Sequence, residues 1–285
     1  MKLNISTTMC SHMEEDQPHL LHYRLGDGVK AFSTMRGNEH AARGKNDLPY
    51  DGFNITHYVG DNPDKVCANR RQLCHLLGIA DEHLILPRQT HATTIRLIDA
   101  SFLGQPKTNQ MALLEGVDGV MTQMAGVCVG VSTADCVPLL FHDKSHAAVA
   151  AVHAGWRGVV AHIVPKAVRA MHQHFDTHPE DLSVVIGPCI SQQAFEVGDE
   201  VAAAFAAAGF NLNTIGRKYA STDGEKWHID LSAACADELL NAGIPLPHIM
   251  VADICTKTDQ RFFSARRLGT GSGRIFSGIM LCPEA

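Results

Sequence analysis

GVCVGVSTADCVPLLFHD (residues 126–143) and HAAVAAVHAGWRGVVAHIV (146–164) decide the fold of this chain. Each run reads as a buried strand, and each breaks at residues a core has no use for: Asp135 and Cys136 in the first, His153, Trp156 and Arg157 in the second. Polar chemistry is thus placed where strands end. A cysteine and a histidine delivered from neighbouring strand ends can meet in space, either as a nucleophile with its base or as two ligands of a metal.

Outward from these runs, strands are separated by single helices or short hairpin turns. Residues 1–20 are expected to be a loose lead-in, VKAFSTMRGN (29–38) a strand, and 39–52 a polar loop. Asn62 and Pro63 open a helix, one capping orphan amides and the other standing where its missing N–H costs nothing. Val66, Leu73, Leu76 and Leu77 give that helix a buried stripe, and Gly78 closes it. Strands are expected at 84–87, just after His91, and at 117–122 with Asp118 at its mouth. Residues 159–175 have helical spacing, and Pro165 requires the helix to start there or kink. SVVIGPCI (183–190), HIMVADIC (248–255) and IFSGIML (275–281) read as strands, while 197–209 and 230–243 read as helices closed by Gly209 and Gly243. The pattern predicts an α/β protein, one domain over residues 21–285 with a mixed β-sheet packed by helices.

The composition, 45% hydrophobic and 19% charged over 285 residues, supports a sizeable core. A net charge of -6 with scattered Lys and Arg argues against nucleic acid or an anionic membrane as a partner. No run reaches the ~18–20 apolar residues of a membrane span, and the N-terminus lacks the order of a signal peptide, so a cytoplasmic protein is expected. Nine cysteines, an odd number without a CxxC pair, read as reduced thiols rather than a disulfide framework.

His91, Cys136 and His153 together supply two imidazoles and one thiolate. That set suits zinc and leaves a fourth position for water or substrate; copper outranks zinc in intrinsic affinity and can enter the same site. Asp118 or Asp135 would then move protons. The same Cys136 and His153 also read as the nucleophile and base of a cysteine hydrolase acting on an amide such as a cell-wall precursor, and a non-catalytic zinc module is a third reading.

STADCVPLLF, AAVHAGWRG, IGPCI, QTH at 89–91, VGDNPDKVCANRRQLCHLLG at 59–78 and FFSARR resemble the YfiH or laccase-domain family, long labelled polyphenol oxidase. The resemblance covers nearly the whole chain. It implies a single α/β domain, His91, Cys136 and His153 as zinc ligands, and purine nucleoside chemistry: phosphorolysis of adenosine, inosine and methylthioadenosine, with adenosine deamination. The partners implied are a small nucleoside and phosphate. Arg36, Arg157, Arg266, Arg267 and Arg274, with the GTGSG run at 269–273, are the anion-binding candidates. Arg266 and Arg267 are expected to form a basic wall distant from the metal. The chain departs from the family's pattern at FSTMRGN, which leaves Arg36 as the equivalent of a displaced arginine, and at Ala92 and Ala265. Oxidase chemistry finds no clustered histidine motif here, and the PCxxC that accompanies HxE in the usual zinc deaminases is absent, residues 188–191 being only PCIS.

Overall fold

A computed structural model describes residues 13–17 (backbone only), 20–37, 48–222 and 224–283. Its strands are β1 (Met13–Gln17), β2 (Leu20–Tyr23), β3 (Val29–Thr34), β4 (Leu84–Ile85), β5 (Ile95–Leu97), β6 (Gly119–Thr122), β7 (Cys128–Thr133), β8 (Val137–Asp143), β9 (Ala148–Ala154), β10 (Leu182–Ile186), β11 (Glu196–Val197), β12 (Gly216–Ser221), β13 (Gly224–Ile229), β14 (Ile249–Val251) and β15 (Ile275–Leu281). Two six-stranded sheets carry the fold, in the orders β1-β2-β3-β15-β7-β4 and β14-β10-β8-β9-β6-β5, beside a small β11-β13-β12 sheet. Both large sheets are mixed: β4 runs parallel to β7, β14 to β10 and β5 to β6, and the other neighbours are antiparallel.

Side-chain alternation on the central strands explains how the layers stack. On β8, Leu139 and Phe141 belong to one core with Ala150 and Val152 of β9, whereas Leu140 belongs to another with Val149 and Ala151. The second core joins the sheets, since it also contains Val129 and Val131 of β7 and Ile275 and Ile279 of β15. Helices α1 (Pro63–Leu77), α2 (Ala100–Leu103), α3 (Lys107–Leu113), α4 (Trp156–Val160), α5 (Ile163–Phe175), α6 (Asp199–Ala207), α7 (Leu212–Ile215), α8 (Leu231–Asn241) and α9 (Ala265–Leu268) complete the chain. Helix α1 covers the outer face of the first sheet through Leu73, Cys74 and Leu77 against Phe32 and Phe276. Helices α5 and α8 cover the outer face of the second through Val164, Met171, Cys235 and Leu239. The result is an α/β protein in which mixed sheets are packed by helices.

Several expectations are refined by the structure. The run 126–143 is two strands in different sheets, because the chain crosses between them at Ala134–Cys136, where Asp135 takes φ 92°. The helix over 159–175 is α4 followed by α5. The break falls at Ala161 and His162, the latter at φ 57°, and Pro165 stands in the first turn of α5 where it removes no helical bond. Residues 13–17, expected as loose lead-in, pair antiparallel with β2. Helix α1 has the expected caps: Asn62 accepts from Asp64 and Lys65 amides, and Gly78 is left-handed at φ 73°. The β12–β13 hairpin was not foreseen, because RKYAS and GEKWHI carry no apolar alternation and most of their residues are exposed or half-exposed. No helix among the described residues is long and apolar enough to cross a membrane.

Candidate metal centre and its cavity

The seam between the sheets brings together residues far apart in sequence. His91 follows β4 of the first sheet, Cys136 ends the β7–β8 crossing, and His153 lies in β9 of the second sheet. One ligand atom from each lies within 4.8 Å of the others. Cys136 Sγ is 3.7 Å from His91 Nε2, and the two imidazoles meet edge to face at 4.8 Å between centroids. Gly155 makes room for this: a Cβ there would stand 2.6 Å from His91 Cδ2 and 3.2 Å from Cys136 Sγ. The HAGWRG glycine is therefore a steric requirement of the cluster.

Asp118 organises the two histidines. Its Oδ1 accepts from His153 Nδ1 at 2.8 Å and from the His91 amide at 3.0 Å. Its Oδ2 accepts from the Thr90 and Ala92 amides at 3.2 and 2.8 Å, and its carbonyl accepts from the His153 amide at 2.7 Å. All four acceptor directions of the carboxylate are occupied. Burial works against its charge, but the bonds from His153 and the amides prevail and hold its pKa below the usual carboxylate range. The proton-moving task expected of Asp118 thus has no free lone pair to act through. What Asp118 does is fix the tautomer of His153, with Nε2 turned to the cluster, and the left-handed backbone of His91 (φ 62°).

Asp135 is similarly engaged. Oδ1 accepts from Thr256 Oγ1 and Oδ2 from the Arg266 amide, both at 2.7 Å, and the Ile190 amide bonds its carbonyl at 2.9 Å. It locks the sheet crossing to the loop that carries α9.

The thiol and imidazole shift each other. Burial pushes Cys136 up, but the His153 charge and the hydrogen bonds from both histidines outweigh it and bring the thiol down to about 6. Burial opposes the His153 charge, and the Cys136 thiolate with the Asp118 bond overcomes that, raising the imidazole to about 9. Without metal, the neutral-pH site is a thiolate–imidazolium pair. Two nitrogens and a sulfur, one histidine backed by a carboxylate, fit a zinc ion with an open position.

A cavity of about 530 Å³ opens from this cluster, within the roughly 300–1,000 Å³ range of small-molecule sites. Ile190, Phe195, Ala265, Arg266, Tyr58, Gln89, Ser132, Thr270 and Arg274 are among its lining residues. Arg266 lies 5.5 Å from the Phe195 ring centroid and donates to the Glu196 carbonyl at 3.0 Å. Arg274 turns toward its own GTGSG loop, donating to the carbonyls of Thr270 and Gly273 at 2.8 and 3.1 Å.

The other arginines of the sequence reading are placed elsewhere. Arg267 directs NH1 and NH2 to the carbonyls of Thr256, Lys257, Asp259 and Phe262, so the expected anion-binding wall of Arg266 and Arg267 is reduced to Arg266. Arg36 is buried, bonds the carbonyls of Asp51 and Leu48, and lies 4.9 Å over Phe263. Arg157 is exposed and stacks 4.3 Å over Trp156, which itself packs on the helix-side core. None of these three lines the cavity. Sequence reasoning missed Tyr58, Gln89, Ser132 and Phe195. Gln89 and Ser132 were inside quoted motifs, and only the three-dimensional path of the chain brings them to the cavity.

A purine nucleoside phosphorylase of Bacteroides thetaiotaomicron is 44% identical over 233 residues, covering 81% of this chain and 86% of that protein. The adenosine deaminase RL5, from an unknown prokaryotic organism, is 43% identical over 254 residues, covering 89% and 94%. Among solved structures, YlmD of Geobacillus stearothermophilus matches with a TM-score of 0.83 at 28% identity, covering 95% of this chain and 99% of that one. The YfiH protein of Bacillus licheniformis matches with a TM-score of 0.82 at 26% identity, covering 94% and 98%. The family described as multi-copper polyphenol oxidoreductase laccase matches residues 35–282, and the chain belongs to that family.

Proposed function

We propose that this protein is a zinc-dependent purine nucleoside phosphorylase acting on adenosine, inosine or methylthioadenosine. The observation that carries the reading is one cavity lined by a His-Cys-His donor set, two arginines and aromatic side chains. The name of the Bacteroides relative supports it. In this reading His91, Cys136 and His153 hold the ion, which when bound supplies a Lewis acid for a substrate oxygen. Asp118 keeps both imidazoles in register. Phe195 and Ile190 give the base an apolar face, and Arg266 and Arg274 supply positive charge for phosphate.

Two other activities follow from specific observations. RL5 is named an adenosine deaminase, and a metal site with an open position suits water activation; with Asp118 saturated, proton transfer in deamination would fall to Asp135 or another cavity group. The Asp118–His153–Cys136 row, with its thiolate–imidazolium pair, also has the order of an orienting acid, base and nucleophile. Copper in place of zinc would keep the family's oxidoreductase label open to a direct assay.

One experiment separates these. Protein purified without added metal is analysed for zinc and copper and then given inosine and adenosine with and without phosphate. The phosphorylase reading expects about one zinc per chain and free base released only with phosphate. Ammonia release without phosphate favours deamination, and turnover that survives complete metal removal favours the cysteine hydrolase.

A further inference from the structure

Breaking a nucleoside bond leaves electrons on a purine, and a purine departs far more easily when its ring nitrogen N7 receives a proton. Asp118 does not line the cavity, Asp135 is tied through one oxygen to Thr256 and through the other to the Arg266 amide, and the three cluster residues are taken once an ion is bound. Among the described residues lining the cavity, the remaining titratable side chains are Tyr58, Arg266 and Arg274, and a guanidinium does not release its proton. We propose that Tyr58 is the catalytic acid that protonates the departing base, an assignment that rests on the phosphorylase reading above.

The phenol is built into the cavity wall. Its hydroxyl makes a short hydrogen bond with Ser132 Oγ and donates to Gln89 Oε1 at 3.2 Å. Gln89 is itself fixed to the end of β7, with Nε2 donating to the Ser132 carbonyl at 2.6 Å and Oε1 accepting the Ser132 amide at 3.0 Å. The loop carrying Tyr58 is braced by Asn54. Its Nδ2 donates to Asp61 Oδ2 at 2.8 Å, and its Oδ1 accepts the amides of Thr56 and Arg274 at 3.1 and 3.2 Å. Asn54 thereby ties the segments that bring Tyr58 and Arg274, from opposite ends of the chain, to the cavity. Burial raises the Tyr58 pKa against the lowering effects of Ser132 and Arg274, so the phenol keeps its proton at neutral pH.

The proton and electron count closes without an outside reagent. A phosphate oxygen bonds to the sugar C1′ as the C1′–N9 bond breaks, and that electron pair withdraws into the base while the Tyr58 proton moves to N7. The proton that hydrogen phosphate carries into the ester returns to the phenolate through Ser132 or solvent.

Tyr58→Phe tests this, because it keeps the ring and its edge contact with His57, 5.5 Å between centroids. With inosine and phosphate, kcat should fall by about 10²–10⁴ while KM, zinc content and thermal midpoint hold. 7-Methylguanosine, whose base already carries the positive charge and leaves without a proton, should lose no more than a few-fold. If wild type does not turn it over, 4-nitrophenyl β-riboside serves as the substrate that needs no acid. Equal loss on both substrates makes Tyr58 a packing residue, and unchanged kcat on inosine assigns the proton elsewhere; either result overturns the proposal. If wild-type protein releases no base with phosphate at all, the phosphorylase reading has failed before Tyr58 is reached, and the assignment falls with it.

Discussion

His153 and His162 are each held by a carboxylate, at 2.8 Å from Asp118 and 2.6 Å from Glu238, yet they are different objects. His153 is buried, its carboxylate accepts four hydrogen bonds, and its free nitrogen faces a second imidazole and a thiol. His162 is half-exposed at the break between α4 and α5 and stacks on Phe210, while Glu238 Oε2 is buried without a hydrogen-bond partner. A histidine–carboxylate pair is therefore not a metal site by itself. What distinguishes the first is a saturated carboxylate and two further donors converging on the same point.

Cys136→Ser attacks that convergence most directly. A hydroxyl is a poor zinc ligand at neutral pH, so metal affinity should fall by more than the roughly 10- to 100-fold typical of losing a supporting partner, and nucleoside turnover should fall with it. Metal analysis after dialysis reads this; full zinc retention would break the comparison at its centre. Asp118→Asn should have the next largest effect, about 10- to 100-fold in metal affinity, since an amide cannot accept all four hydrogen bonds. If zinc binding is untouched, Asp118 serves only the backbone.

Glu238→Gln sharpens the other side. Burial raises the Glu238 carboxyl above its ordinary range against the lowering effect of His162, so the native state favours its protonated form. Above that raised pKa, ionisation weakens the native state, and the cost disappears as pH falls toward the unfolded value near ~4.3. The variant should therefore melt at or above wild type at pH 8, with the gap closing by pH 5 and zinc content unchanged throughout. A variant that is less stable at pH 8 and equal at pH 5 would reverse the sign.

The same contrast explains what the sequence could disclose. Cys136 and His153 were legible because a polar residue interrupting a buried run has few structural reasons to be there, and His91 was legible at a strand boundary within QTH. Asp118 was legible as a site residue, but its task was not, since only the distances show its oxygens filled. Arginines were the least legible. Arg266 and Arg267 are adjacent in sequence, yet one faces the cavity and the other bonds four carbonyls, a choice made by the backbone path of the 256–262 loop. The class of fold followed from the apolar runs. Its division into two sheets did not, because these strands are buried at every position and conceal which neighbour each side chain meets.

The seam location of the cluster has a mechanical meaning. Three side chains from two sheets converge on one point, so an ion seated there is a rivet through the sandwich, and pulling it out loosens both plates at once. Occupancy should then be readable from the melting curve alone, because a ligand bound only by the folded chain adds RT ln(1 + [L]/Kd), about 4.1 kcal/mol at a thousandfold excess over Kd. Chelated protein should melt earlier and recover when zinc is returned, and Cys136→Ser, having lost its rivet hole, should ignore both treatments.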